Sequence, residues 1–145
     1  MCEQIRMTAS LLVVEDYEPF RRAICSWLRE QDFHVIESAD GLEAIEKAIE
    51  LQPDVVLFDI GLPTLNGIES AKQVRLLVPS TKVVFVTQES GSDLIQETFR
   101  LGARGYIHKQ HAGTDLLPAI DAVLGGRRFV SSTLDFIVGG DLECA

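Results

Sequence analysis

Short apolar runs that end abruptly in acidic or polar residues recur along this chain, with amphipathic stretches between them. Residues 11–14 are wholly apolar and stop at Glu15 and Asp16; residues 55–58 are apolar and stop at Asp59; residues 82–86, apolar after Lys82, stop at Thr87. A continuous apolar run of this length is the pattern of a strand buried on both faces. Two shorter stretches, 33–37 and 105–108, are more polar and read as strands near an edge, the second ending next to Lys109. Between them the period changes to that of a helix. Residues 17–31 repeat Phe20, Ile24 and Leu28 with Trp27 alongside; 41–51 place Leu42, Ile45 and Ile49 on one face. Residues 66–78 carry Ile68, Ala71, Val74 and Leu77; 90–101 hold a weaker stripe stopped by Gly102. Residues 114–124 turn Leu116, Leu117, Ile120 and Val123 inward and stop at Gly125 and Gly126.

Five strands alternating with five helices predict an α/β fold, a parallel sheet covered on both faces. Right-handed crossovers leave few topologies. The flavodoxin-like, doubly wound order 2-1-3-4-5 fits, with the polar-tinged strands at or near the edges. The 145 residues suit one domain. It spans residues 10–125, after an N-terminal extension at 1–9 and before a C-terminal tail at 126–145. The tail's Phe129, Val130, Leu134, Phe136, Ile137 and Val138 form either a strand-like extension or one more helical turn. They are expected to pack on the last helix, to make a dimer contact or to bind a partner.

Charge narrows the partners. The formal net charge is −9, and the basic residues are scattered, Arg127 and Arg128 being the nearest to a cluster. Such a surface repels phosphate backbones, so nucleic-acid binding by this chain alone is not expected. Cys2, Cys25 and Cys144 are odd in number and irregular in spacing, which reads as free thiols in a reducing compartment. No stretch is apolar for long enough to span a membrane, and the first ten residues lack a secretory core. Cytoplasm is the expected location, with no membrane partner.

In a parallel sheet the strand ends share one edge, and ligands bind where the connections diverge. Glu15, Asp16, Asp59, Thr87 and Lys109 all fall on that edge. Clustered carboxylates repel one another unless a cation joins them. A hard divalent ion with oxygen ligands answers this, and Mg²⁺ is the expected one, held by Glu15, Asp16 and Asp59 with the Gly61 backbone carbonyl as a further oxygen. Asp59 is then placed to act as a nucleophile toward phosphorus, with Thr87 and Lys109 on the remaining phosphoryl oxygens.

The pieces Val-Val-Glu-Asp at 13–16, Leu-Phe-Asp-Ile at 57–60 with Leu62-Pro63 and Asn66-Gly67, Val-Thr at 86–87, and Gly-Ala-Arg-Gly-Tyr-Ile-His-Lys at 102–109 resemble a response-regulator receiver domain of two-component signalling. The resemblance covers about residues 10–125. It implies a CheY-like phospho-acceptor module taking a phosphoryl group onto Asp59 from a histidine kinase or phosphotransfer protein, a switch and not an enzyme acting on outside substrates. It also implies that Thr87 moves toward the phosphoryl group, that Tyr106 swings inward, and that the face of the fourth helix, fifth strand and fifth helix is remodelled. A homodimer through that face or through the tail is the further expectation. Departures stand beside the match. Gln110 follows the lysine where the family often has a proline joined through a cis bond, Gln88 replaces a small residue after Thr87, and Gly61 offers no side chain to shield an acyl phosphate. Residues 125–131 resemble the end of NarL/FixJ-type receivers that precede a helix-turn-helix effector. Only about fifteen residues follow, so the expectation is a receiver that stands alone or was separated from its effector.

Other readings are open at this point. A haloacid-dehalogenase-like phosphohydrolase also uses a strand-end Asp, but it needs a second Asp two residues on, where Gly61 stands. A flavodoxin-like cofactor module needs a phosphate-cradling loop after the first strand, where Glu15, Asp16 and Tyr17 repel phosphate. A degenerate receiver used as an unphosphorylated scaffold draws support from Gln88 and Gln110. Tyr106 alone reads as a packed aromatic, and His108 and His111, three apart without a third metal ligand, read as solvated or packed histidines.

Overall fold

The computed structural model describes residues 9–131. Six parallel strands form one sheet in the order β2-β1-β3-β4-β5-β6. They are β1 (Ser10–Val14), β2 (His34–Ser38), β3 (Val55–Phe58), β4 (Lys82–Thr87), β5 (Gly105–His108) and β6 (Phe129–Val130). The connections carry α1 (Glu18–Glu30), α2 (Gly41–Leu51), α3 (Gly67–Leu77), α4 (Ser92–Arg100) and α5 (Ala112–Leu124). One 3₁₀ turn, Lys109–His111, leads into α5.

The strands alternate their side chains between two cores, as the pleat requires. Leu11, Val13, Leu57, Val84 and Ile107 face α1 and α5, where Ile24, Leu28, Leu116 and Ile120 meet them. Leu12, Val14, Val56, Phe58 and Phe85 face α2, α3 and α4, meeting Ala44, Ala48, Ala71, Val74 and Ile95. Local chemistry sets the helix starts. Asp40 and Asn66 cap α2 and α3 by accepting the Glu43 and Glu69 backbone N–H groups. Pro19 opens α1, where a missing N–H costs nothing.

Three expectations are corrected. The sheet has six strands, not five: after α5 the chain turns at Gly125 and Gly126, the latter at φ +86°, and returns parallel to β5. Residues 129–130, expected outside the alternation, therefore complete the sheet. The fifth strand lies next to the edge strand β6, within the expectation of a place at or near an edge. On α2 the face read at Leu42, Ile45 and Ile49 is not the buried one. Gly41, Ala44 and Ala48 are buried, Ile45 packs at the margin, and Leu42 and Ile49 are about half exposed. Small residues go inward there because α2 lies close to its neighbour: a Cβ on Gly41 would overlap the Leu65 carbonyl and the Ser70 hydroxyl. On α3 the buried set is Gly67, Ser70, Ala71 and Val74, with Leu77 turned out.

Cys25 is free and buried, and burial pushes its thiol up to about 12, as suits a small apolar residue. Cys2, Cys144 and the apolar tail positions after residue 131 lie outside the described residues. Among the described residues no helix is long and apolar enough to cross a membrane.

Candidate functional site

Register builds the site. Val14 is the ladder partner of Phe58, so Glu15 and Asp59 leave neighbouring strands side by side, with the Asp59 N–H donating to the Val14 carbonyl at 3.0 Å. Thr87 pairs with His108 at the ends of β4 and β5, which brings Lys109 to the same edge. The chain after Asp59 is held close: Gly67 N–H donates to the Ile60 carbonyl at 2.7 Å, and a Cβ on Gly67 would overlap the Asp59 carbonyl.

Three carboxylates converge there. Oxygens of Glu15, Asp16 and Asp59 lie within 4.8 Å of one another. Glu15 and Asp59 are buried, at 2% and 9% exposure, while Asp16 is open to solvent. The Lys109 ammonium sits 2.7 Å from Glu15 Oε1 and 3.5 Å from Asp59 Oδ2. Glu15 Oε2 accepts the Tyr17 backbone N–H at 3.0 Å, and Asp59 Oδ1 accepts that of Ile60 at 2.9 Å. Burial raises the Glu15 carboxyl above the ordinary range, and the charge of Asp59 adds to the rise; the hydrogen bonds from Lys109 and Tyr17 oppose it without cancelling it.

Thr87 is buried, and its hydroxyl accepts the Glu89 N–H at 3.4 Å. Tyr106, expected to swing inward on activation, is already fully buried. Its ring packs against Phe85, its hydroxyl donates to the Glu89 carbonyl at 2.9 Å, and burial raises its phenol well above the usual value. The loop between β4 and α4 is thus tied to β5. Gly61 is exposed with open space around it. The Lys109–Gln110 bond is trans. A cleft of about 470 Å³ opens beside the lysine, lined by Tyr17, Phe20, Gln88, His108, Lys109 and Gln110.

Sequence reasoning missed three neighbours of this centre. Phe20, read as core, lies under the lysine, with the ammonium 4.9 Å from its ring centroid. Arg21 donates to the Glu15 backbone carbonyl at 2.9 Å. Ser131 Oγ accepts the His108 N–H at 3.1 Å. Only Phe20 carried a signal, an aromatic four residues past Asp16 on the first helical turn.

A doubly wound sheet whose carboxyl edge gathers three acids and one bridging lysine defines a class of small acidic α/β modules built around a strand-end aspartate. The profile of the response regulator receiver domain matches residues 11–121, and the chain belongs to that family. It is 36% identical over 118 residues to the transcriptional regulatory protein LnrK of Bacillus subtilis, covering 80% of this chain and 54% of LnrK. It is 31% identical over 112 residues to the chemotaxis protein CheY of Listeria monocytogenes, covering 77% of this chain and 94% of CheY. A two-component response regulator of the LuxR family from Aurantimonas superposes with a TM-score of 0.80 at 32% identity, covering 90% of this chain and 95% of that one. The chain spans a little over half the length of LnrK and of the response regulator GacA of Pseudomonas viridiflava. The domain is thus a receiver of two-component signalling with a CheY-like fold, and membership implies a kinase or other phosphodonor as partner.

Proposed function

We propose that Asp59 accepts the phosphoryl group and that Lys109 and Thr87 receive its oxygens. The carrying observation is the Lys109 bridge, which holds one ammonium between Glu15 and Asp59 at the sheet edge. A carboxylate oxygen of Asp59 attacks phosphorus. The new O–P bond forms as the P–N bond to a donor imidazole breaks, and the imidazole keeps the electron pair and takes up a proton. Phosphoryl transfer asks mainly for alignment and charge neutralisation. The Ile60 N–H fixes the Asp59 carboxylate, and the Phe20 ring supports the lysine from below.

Mg²⁺ fits the donor set. All three side chains offer hard oxygen atoms, and one ammonium offsets only one of their three charges. Glu15, Asp16 and Asp59 would hold the ion, with the Gly61 carbonyl as a further oxygen. Bound there, it would neutralise charge on the incoming phosphoryl group. Gly61 leaves no general acid two residues past Asp59, which favours a self-limiting switch over turnover of outside substrates.

Output follows from the ties of Tyr106. Its hydroxyl holds the Glu89 carbonyl, so a shift of Thr87 toward phosphate is transmitted to the loop before α4. Because β6 covers the outer side of β5, the surface presented between α4 and α5 is β6, not the bare fifth strand. A partner or a second copy docking on this side would meet β6.

Intact-mass measurement after treatment with a small phosphodonor and Mg²⁺ tests the assignment. One phosphoryl group per chain is expected, none on Asp59→Asn, and slower labelling of Asp16→Ala. Labelling of Asp59→Asn at unchanged stoichiometry would move the acceptor elsewhere, and release of many equivalents of phosphate from monoesters would favour a hydrolase.

A further inference from the structure

Lys109 reaches the acids from a turn whose backbone is held by groups that take no part in the phosphotransfer itself. The His108 imidazole Nδ1 accepts the Gln110 backbone N–H at 3.2 Å and thereby caps the 3₁₀ turn Lys109–His111. This is the bond an Asx side chain makes to the amide two residues on, here made by a histidine. The acceptor is the Nδ1 lone pair. The ring is steadied by His111, edge to face at 6.2 Å between centroids. On the other flank the His108 N–H donates to Ser131 Oγ at 3.1 Å, and the Ser131 N–H donates to the Tyr106 carbonyl at 3.0 Å. Ser131 is fully buried at the end of β6.

We propose that His108 is a positioning residue for Lys109: its Nδ1 sets the turn that aims the ammonium at Glu15 and Asp59. A lysine side chain has many rotamers, so a well-placed Cα decides how much of that freedom must be lost to reach a given point. The two flanking bonds fix the backbone immediately before and after the lysine, and the Phe20 ring limits where the stem can lie. The inference rests on Asp59 being the acceptor and on Lys109 receiving phosphoryl oxygen.

The experiment measures the rate of Asp59 labelling by acetyl phosphate and Mg²⁺ in the full chain, with hydrogen exchange of the Gln110 amide. His108→Leu removes the acceptor and is expected to label roughly three- to tenfold more slowly, the scale of one hydrogen bond, with faster exchange at Gln110. His108→Asn places Oδ1 where it accepts the same N–H and is expected to recover both rate and protection. Equal labelling of the wild type and His108→Leu, or no recovery in His108→Asn, would overturn the inference. Should His108→Leu not fold, His108→Gln, whose amide lies one bond too far out, makes the same comparison. Each variant is also made with Asp59→Asn. Labelling that persists there discards the acceptor assignment and the inference with it, whereas labelling lost there with no effect at His108 discards the inference alone.

Discussion

Gly67 starts α3 with its Cα against the Asp59 carbonyl, and a methyl group there has no room. The overlap is with backbone, which cannot rotate away, so Gly67→Ala must displace either the loop or the strand end that carries Asp59. A loss of about 3 kcal/mol in denaturant unfolding is expected, at the upper end of overpacking costs. Gly61→Ala is the control: nothing lies within 4 Å of a Cβ placed there. It should stay within about 0.5 kcal/mol of the parent, the range for surface changes. Equal losses in the two variants would show that backbone contact at Gly67 is not what matters. At this scale a residue that ends an apolar run is legible in the sequence as a strand end. Glu15, Asp16, Asp59, Thr87 and Lys109 meet at one edge because strand ends announce themselves by a change of polarity. Ser131 was opaque for the opposite reason: its place comes from a contact across the chain, the bond joining it to His108, 23 residues away.

Between elements, Glu37 ties β2 to α1. It accepts a hydrogen bond from Arg21 Nε at 3.1 Å and pairs with Arg29 Nη1 at 3.2 Å. Partial burial pushes its carboxyl up, but the hydrogen bonds and charges of the two arginines outweigh this and hold it below the ordinary range. A carboxyl lowered on folding adds stability that is present above its unfolded pKa, near 4.5, and is lost as pH falls through the folded value. Glu37→Gln should therefore be less stable than the parent at neutral pH, and the gap should close as pH falls below about 4.5. Urea unfolding at several pH values checks this, and a gap that stays constant on acidification would remove the pairing as its cause. The elements themselves were legible in unequal measure. Strands buried on both faces read clearly, because every position is apolar. The inward faces of α2 and α3 did not, because close helix packing buries Gly41, Ala44, Ala48 and Ala71 while larger apolar residues turn out. Two-residue β6 was too short for any alternation to show; parallel pairing with β5 defines it.

For the molecule as a whole, folding gathers the three carboxylates of the acidic centre from distant segments. Glu15 and Asp16 follow β1 and Asp59 follows β3, so the set comes within 4.8 Å only in the folded sheet. An ion that binds the folded chain and not the unfolded one stabilises it by mass action, about 2.7 kcal/mol at a hundredfold excess over Kd. For a domain of this size that corresponds to a rise in Tm of roughly 10 °C. The overall charge of −9 offers a competing explanation, since any added salt screens repulsion among surface acids. The two differ in form. Screening is unsaturated at low millimolar concentration and is reproduced by NaCl of equal ionic strength, whereas site binding saturates and is reversed by a chelator. Asp16→Ala separates them further. It removes an exposed ligand that makes no ion pair among the described residues, so the fold should persist while the Mg²⁺-dependent rise shrinks. Differential scanning fluorimetry across a Mg²⁺ titration measures the effect. A Tm that follows ionic strength alone, equally in Asp16→Ala and the parent, would mean that the three acids form no cation site.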